Sequence, residues 1–205
     1  MEIPAKAHIY AAVLGLINAG DHAMCTTLLD YIVDLWPKTI AEGNVFRLRS
    51  LVRFLVLLAP ARVIDSNDAL NVLQLLVTAA MAGVPTAGGD SIVSAVLSAL
   101  PWIGQIAHQN HREDLKSLLD DLETYLSRRT GNQASALRVF QDAVEATTGT
   151  TDTAEIIIES WSRIRQLAAA DWQLPFLPKT FQTLASKLDA GMSVRLFYFS
   201  DATPE

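Results

Sequence analysis

An all-α chain of stacked helix hairpins is what this sequence predicts, and three observations predict it. Leu and Ala each occur 28 times in 205 residues, so two strong helix formers supply more than a quarter of the chain. Apolar residues recur at helical spacing along most of its length. Helix starts fall near 4, 21, 44, 66, 90, 111, 153 and 175. Taken in twos, the first three pairs begin about 40 to 46 residues apart, inside the roughly 40–47-residue period of HEAT/armadillo-like arrays. No repeated sequence accompanies that spacing, so an ordinary globular bundle is the alternative architecture.

Each boundary has its own chemistry. Gly20 before Asp21 reads as a C-terminal glycine followed by an N-cap, and Asp65-Ser66 as the cap of the next helix but one. Pro37, Gly43, Pro60 and Gly83-Val84-Pro85 interrupt the helical pattern in turn. Residues 51–58 and 69–82 are apolar nearly all round, as in helices packed on more than one side. Pro101 sits inside the apolar run Ser98-Ala99-Leu100-Pro101-Trp102, where a kink or restart is expected. Asn110 with Glu113 and Asp152 with Glu155 have the spacing of a capping box.

Beyond this point the helices become amphipathic. Leu115, Leu118, Leu119, Leu122, Tyr125 and Leu126 form one stripe, with Arg112, Glu113, Lys116 and Asp120 opposite. Arg128-Arg129 read as the cationic end of that helix, where the dipole favours them. Residues 130–151 read as a long exposed loop, with a short helix across Ala136 to Val144. Ile157, Trp161 and Ile164 mark a further helix, with Glu159, Arg163 and Gln166 turned outward. Leu177, Phe181, Leu184 and Leu188 mark the last one. Val194-Arg195-Leu196-Phe197-Tyr198-Phe199 is β-branched and aromatic, reads as extended, and has no partner strand in sight.

Composition excludes several classes of function. Half of the residues are apolar, 19% are charged and the net charge is −6, which is incompatible with intrinsic disorder. The same charge argues against a free-standing nucleic-acid binder, whose footprint is basic. One cysteine makes neither a disulfide framework nor a cysteine-based zinc module. Ala69 to Gly89 carries no Asp, Glu, Lys or Arg, but only about 14 of its residues read as helix, which suits a core helix better than a membrane span. Glu2 and Pro4 at the amino end do not read as a signal peptide. The chain is therefore expected to be soluble, with no membrane partner.

Few residues suggest chemistry. His22 and Cys25 could form a Cys/His nucleophile pair, yet no third group or oxyanion turn adjoins them, so a buried structural thiol is the preferred reading. His108, His111, Glu113 and Asp114 straddle a helix end too loosely for a metal site. Gly88-Gly89 has no Lys-Ser/Thr after it and is not a phosphate loop. Asp120, Asp121 and Glu123 are interleaved with the Leu stripe as a solvated face. Five acids and no bases lie between Arg138 and Arg163, a run that serves solubility or steers a basic partner. Arg47, Arg49, Arg53 and Arg62 lie in a stretch with no acid, and Arg49 and Arg53 share one helical face. They could meet phosphate, but cations on the exposed side of a greasy helix are commoner. No residue is assigned a catalytic, cofactor-binding, metal-binding or partner-binding role, and no cofactor is expected.

A resemblance adds what the residues alone do not supply. Ser98-Ala99-Leu100-Pro101-Trp102-Ile103-Gly104, then Leu118 to Arg129 with Glu123-Thr124-Tyr125-Leu126-Ser127-Arg128-Arg129, resemble the large subunit of the nuclear mRNA cap-binding complex. Ile9 to Ala19, Leu51-Val52-Arg53-Phe54-Leu55, Trp161 to Trp172, and Phe197-Tyr198-Phe199-Ser200-Asp201 are similar to further stretches of that family in the same order. Departures concentrate in Gly83 to Asp90, 130–155 and Asp189 to Ser193.

The resemblance implies a MIF4G-type helical domain over 1–190, lacking its first helices, and an extended linker over 191–205 toward a second domain. It implies a non-enzymatic nuclear scaffold, shuttling to the cytoplasm, with roles in mRNA processing, splicing, export and nonsense-mediated decay. Its partners would be a small RNA-recognition-motif subunit that binds the 7-methylguanosine cap, engaged through the full-length parent, together with mRNA-processing factors. Capped RNA would be reached only indirectly. The alternatives are a MIF4G scaffold of translation initiation and, more distantly, a Cys25-dependent enzyme.

Overall fold

The structure, a computed structural model, describes residues 6–42, 44–82, 87–144, 153–173, 180–194 and 196, the side chains at 87, 130–144 and 153–156 aside. Among these residues the chain forms α1 (Ala7–Gly20), α2 (His22–Ala41), α3 (Val45–Leu57), α4 (Ser66–Met81), α5 (Ala87–Asn110), α6 (Arg112–Val144), α7 (Thr153–Ala169) and α8 (Thr180–Leu188). The all-α prediction holds. Hairpins begin at α1, α3 and α5. The odd helices pack each on the next, α1 on α3, α3 on α5 and α5 on α7, while α4 packs on α6 in the other row. This is the stacking of a HEAT- or MIF4G-like array, in which each hairpin buries its apolar face on its neighbours. The last helix, α8, lies back against α1 instead of extending the row.

The caps form as their chemistry requires. Asp21 accepts a hydrogen bond from the Met24 amide at 3.0 Å, and Asp65 accepts one from the Asn67 amide at 2.7 Å. Asn44 caps α3 through the Arg47 amide at 3.1 Å. The core is centred on α3, α4 and α5, where Val52, Leu55, Leu73, Val77, Val96, Leu100 and Ile103 are buried. Gly88–Asn110 is long and apolar enough to cross a bilayer, but half of that stretch is buried inside the protein, against α3, α4 and α7. The Leu115-to-Leu126 stripe and the Ile157, Ile164 pair face inward as expected.

Five boundary readings are corrected. Pro37 does not interrupt α2, which runs through it to Ala41, and Pro101 neither stops nor restarts α5. Proline removes one helical donor and crowds the carbonyls a turn earlier. At Pro101 the carbonyl left without its helical donor is that of Leu97; the neighbouring Ser98 carbonyl accepts from Arg53 Nε at 3.2 Å, a contact that ties this turn of α5 to α3. Asn110 is the last residue of α5 and not a cap; His111 alone separates α5 from α6, and its carbonyl accepts from the Leu115 amide at 3.0 Å. Helix α6 continues through Gly131 to Val144, so 130–144 is not a loop and Arg128-Arg129 do not close the helix. Finally, Val194 does find a partner. It forms an isolated parallel bridge with Ile64, its amide donates to the Val63 carbonyl at 2.7 Å, and the Leu196 amide donates to Asp68 at 3.0 Å.

The expected helix start at 4, Gly43, Gly83-Val84-Pro85, the Asp152 cap, residues 145–151, the start at 175 with Leu177, and Phe197 to Phe199 lie outside the described residues.

Candidate interaction surface

The residues with suggestive chemistry are absorbed into packing. Cys25 is fully buried and its thiol points at the Leu14 carbonyl, 4.0 Å away; burial pushes its pKa up, away from the reactive thiolate. His22 turns elsewhere. Its Nδ1 lies 2.8 Å from Asn18 Oδ1, while Asn18 Nδ2 donates to the carbonyls of Arg62 at 3.1 Å and Met192 at 2.9 Å. With the amide nitrogen committed to two acceptors, Oδ1 must accept, which places the proton of His22 on Nδ1. The Cys/His pair is therefore not assembled.

The same holds for the other clusters. His108 faces Asp171 at 3.6 Å, and His111 Nε2 bonds Ser66 Oγ at 2.9 Å. No group of three or more His, Cys, Asp or Glu is placed to hold a metal among the described residues. Arg47 pairs with Glu42 at 2.8 Å, and Arg62, in a left-handed conformation (φ 61°), pairs with Asp189 at 3.3 Å. With Arg53 on the Ser98 carbonyl, the basic stretch is largely engaged within the protein. Asp120 and Glu123 are exposed, whereas Asp121 is half-buried and accepts from Gln74 of α4.

Sequence reasoning missed a buried polar cluster between α5 and α6. Asp90, 4% exposed, accepts from Tyr125 Oη at 2.9 Å and pairs with Arg129 Nη1 at 2.8 Å. Burial, then the hydrogen bond to Asp90 and its negative charge, push the Tyr125 pKa far up, against a smaller opposing effect of Arg129. Gly89 makes room for this: a Cβ there would sit 2.8 Å from Tyr125 Oη. Its partners come from two helices and lie 35 residues apart, so no local motif announces it.

Two surfaces remain as candidates for recognition. One is a cleft of about 540 Å³ where the corner after α3 meets α5 and α8, lined by Arg62, Trp102, Ile106, Gln109, Phe181 and Asp189 among others. The other is the outer side of the α1–α2 hairpin, where Ile9, Tyr10, Val13 and Leu16 of α1 and Met24, Leu28, Tyr31 and Leu35 of α2 are exposed. Large apolar side chains exposed at this density make the hairpin a candidate interaction surface.

One internal contact joins two of the stretches that carry the resemblance. Gly104 of Leu-Pro-Trp-Ile-Gly lies under the Trp172 indole, and a Cβ at 104 would overlap the ring. Trp172, 2% exposed, reaches it because Asp171 and Trp172 take the left-handed conformation (φ 52° and 58°), turning the chain sharply after α7.

Stacked hairpins, a helix–helix core and exposed helical faces define the class: an all-α protein of the MIF4G or HEAT type. No protein-family model matches the chain. It is similar to nuclear cap-binding protein subunit 1 of Anopheles gambiae, 30% identical over 189 residues, covering 92% of this chain and 23% of that protein. The same-named protein of Aedes aegypti is 29% identical over the same shares. The resemblance read from the sequence is borne out, and the chain spans about a quarter of the length of these curated relatives.

Proposed function

We propose that this chain is a helical segment of a nuclear cap-binding large subunit and works as a non-enzymatic scaffold. The observation that carries the reading is similarity along 92% of the chain to proteins bearing that name. Burial of Cys25, and its separation from His22, supports a scaffold over an enzyme. On this reading residues 1–190 are a MIF4G-type domain lacking its first helices, and 191–205 lead toward a second domain. The whole protein supports an RNA-recognition-motif subunit that holds the 7-methylguanosine cap, in the nucleus with shuttling to the cytoplasm. It recruits processing, splicing, export and decay factors through exposed helical faces. The net charge of −6 fits a protein whose contact with RNA is made by its partner.

The test uses the full-length polypeptide carrying this segment, applied to a cap-analogue resin with and without the small subunit. Retention only when that subunit is present is the expected result. Failure to be retained even with it would sink the proposal.

A further inference from the structure

In the acid-free basic stretch that ends at Arg62, Arg47 is engaged by Glu42, Arg53 by the Ser98 carbonyl and Arg62 by Asp189. Arg49 is not. It makes no ion pair with the described residues, and its Nε is buried without a hydrogen-bond partner. A guanidinium set part-way into a protein with a stranded donor loses hydration and gains nothing in exchange. Nothing among the described residues offsets that cost. What Arg49 lacks is an acceptor.

Its position says how an acceptor can reach it. Arg53 meets Ser98, and one turn further on Leu57 and Trp102 both line the cleft beside α8. Each pair is 45 residues apart, so α3 and α5 run side by side and parallel. The same register sets Arg49 beside Ser94 and Phe46 beside Ser91. Ser91, Ser94 and Ser98 lie on the face of α5 that carries Trp102, Gln105 and Gln109 into the cleft, in steps of three or four residues, and none of them is buried. One groove thus runs from exposed Phe46, past Arg49, into the cleft.

We propose that this groove seats an extended acidic segment of a protein partner, with an apolar side chain in the cleft against Trp102 and a carboxylate on Arg49. Charge selects the carboxylate. A phosphate dianion or a run of RNA phosphates asks for several cations, whereas the arginines around Arg49 are already committed. The side-chain amides of Gln105 and Gln109 select the extended form, since each offers a donor and an acceptor to a peptide backbone that has not bonded to itself. Leu57 lies about 12 Å along α3 from Arg49 at the helical rise. An extended chain covers that in about four residues, which sets the spacing between the apolar anchor and the Glu or Asp. This rests on the scaffold reading and adds to it the chemistry of a partner.

Fluorescence anisotropy of the 205-residue chain with short labelled peptides tests this. Each peptide carries one Leu and one Glu among Ser and Ala, at varied separation and in either order. The tightest binding is expected at a separation of about four residues, in one order only. Replacing the Glu of that peptide by Gln, or Arg49→Gln in the protein, weakens binding about tenfold, and the two changes together weaken it no further. Replacing the peptide's Leu by Ser abolishes binding. Arg49→Gln also leaves the thermal midpoint at or above that of the parent, because it removes an unpaired charge. Binding indifferent to separation, losses that add, or a midpoint lowered by several degrees overturns the proposal. Failure of every peptide to bind the folded chain overturns it equally. Displacement of the peptide by a uridine oligonucleotide, lost in Arg49→Gln, overturns it and gives the groove to RNA. None of these outcomes touches retention of the full-length protein on cap resin, so the two readings fail separately.

Discussion

At the α5–α6 contact the protein buries a carboxylate, a guanidinium and a phenol; on α1–α2 it leaves two rows of apolar side chains in water. These regions invert the usual distribution in opposite senses. The buried cluster is compensated in charge: Asp90 takes the Tyr125 proton donor and pairs with Arg129 where they sit, with Arg129 Nε left without a hydrogen-bond partner among the described residues. The apolar rows are not covered by anything among the described residues, and exposure of this kind is what a partner surface offers. The two inversions thus mean different things. Buried polarity is a lock between the two arms of the α5–α6 hairpin; exposed apolarity is an invitation to a partner.

Removing one side of the lock is the most damaging way to break this contrast. Asp90→Ala strands the Arg129 cation beneath the surface and is expected to cost about 3–5 kcal/mol in urea unfolding. Gly104→Ala forces the Trp172 ring off α5 and is expected to cost about 1–3 kcal/mol, read as a lowered midpoint with unchanged slope.

Tyr125→Phe keeps the ring but drops the bond to Asp90, for about 1 kcal/mol. That variant also separates a pH effect. The folded protein holds the Tyr125 proton more tightly than the unfolded chain does, so its contribution is complete below the ordinary tyrosine value of 10.0. It falls as pH rises past that value, by up to about 1.4 kcal/mol per unit. The phenylalanine variant loses this alkaline sensitivity, which unfolding curves between pH 9 and 11 would register. On the other region, Tyr31→Ser is expected to change the stability of the chain by no more than about 0.5 kcal/mol. Equal losses for Asp90→Ala and Tyr31→Ser would erase the distinction.

What could be read from the sequence divides along physical lines. Asp21 and Asp65 announce their helices because an N-cap is a contact across two or three residues. The Leu115-to-Leu126 stripe is similarly local. Pro37 and Pro101 mislead because a proline costs a helix one hydrogen bond without necessarily ending it, and the contacts that hold α5 past Pro101, such as Arg53 on the Ser98 carbonyl, come from 45 residues away. Gly131 misleads for a related reason, since a glycine inside a helix costs only about 1 kcal/mol and does not by itself end one. The Asp90 cluster was invisible because its members belong to separate hairpin arms. The exposed apolar row on α2 was hidden differently. Its spacing is that of any core stripe, and only the packing shows which stripe was left outside.

Asn18 has a consequence for how the protein ages. Its amide nitrogen donates to two carbonyls, of Arg62 and Met192, while its oxygen receives His22. Hydrolysis of that amide to a carboxylate would replace a double donor with an acceptor, leaving three oxygens in mutual repulsion at the seat of α1. The helix slows this damage, because the hydrogen-bonded backbone of α1 resists the cyclisation by which asparagine deamidates. Chemical durability at this joint therefore depends on α1 staying wound. A sample that loses helix at its amino end should accumulate a slow, irreversible increment of negative charge.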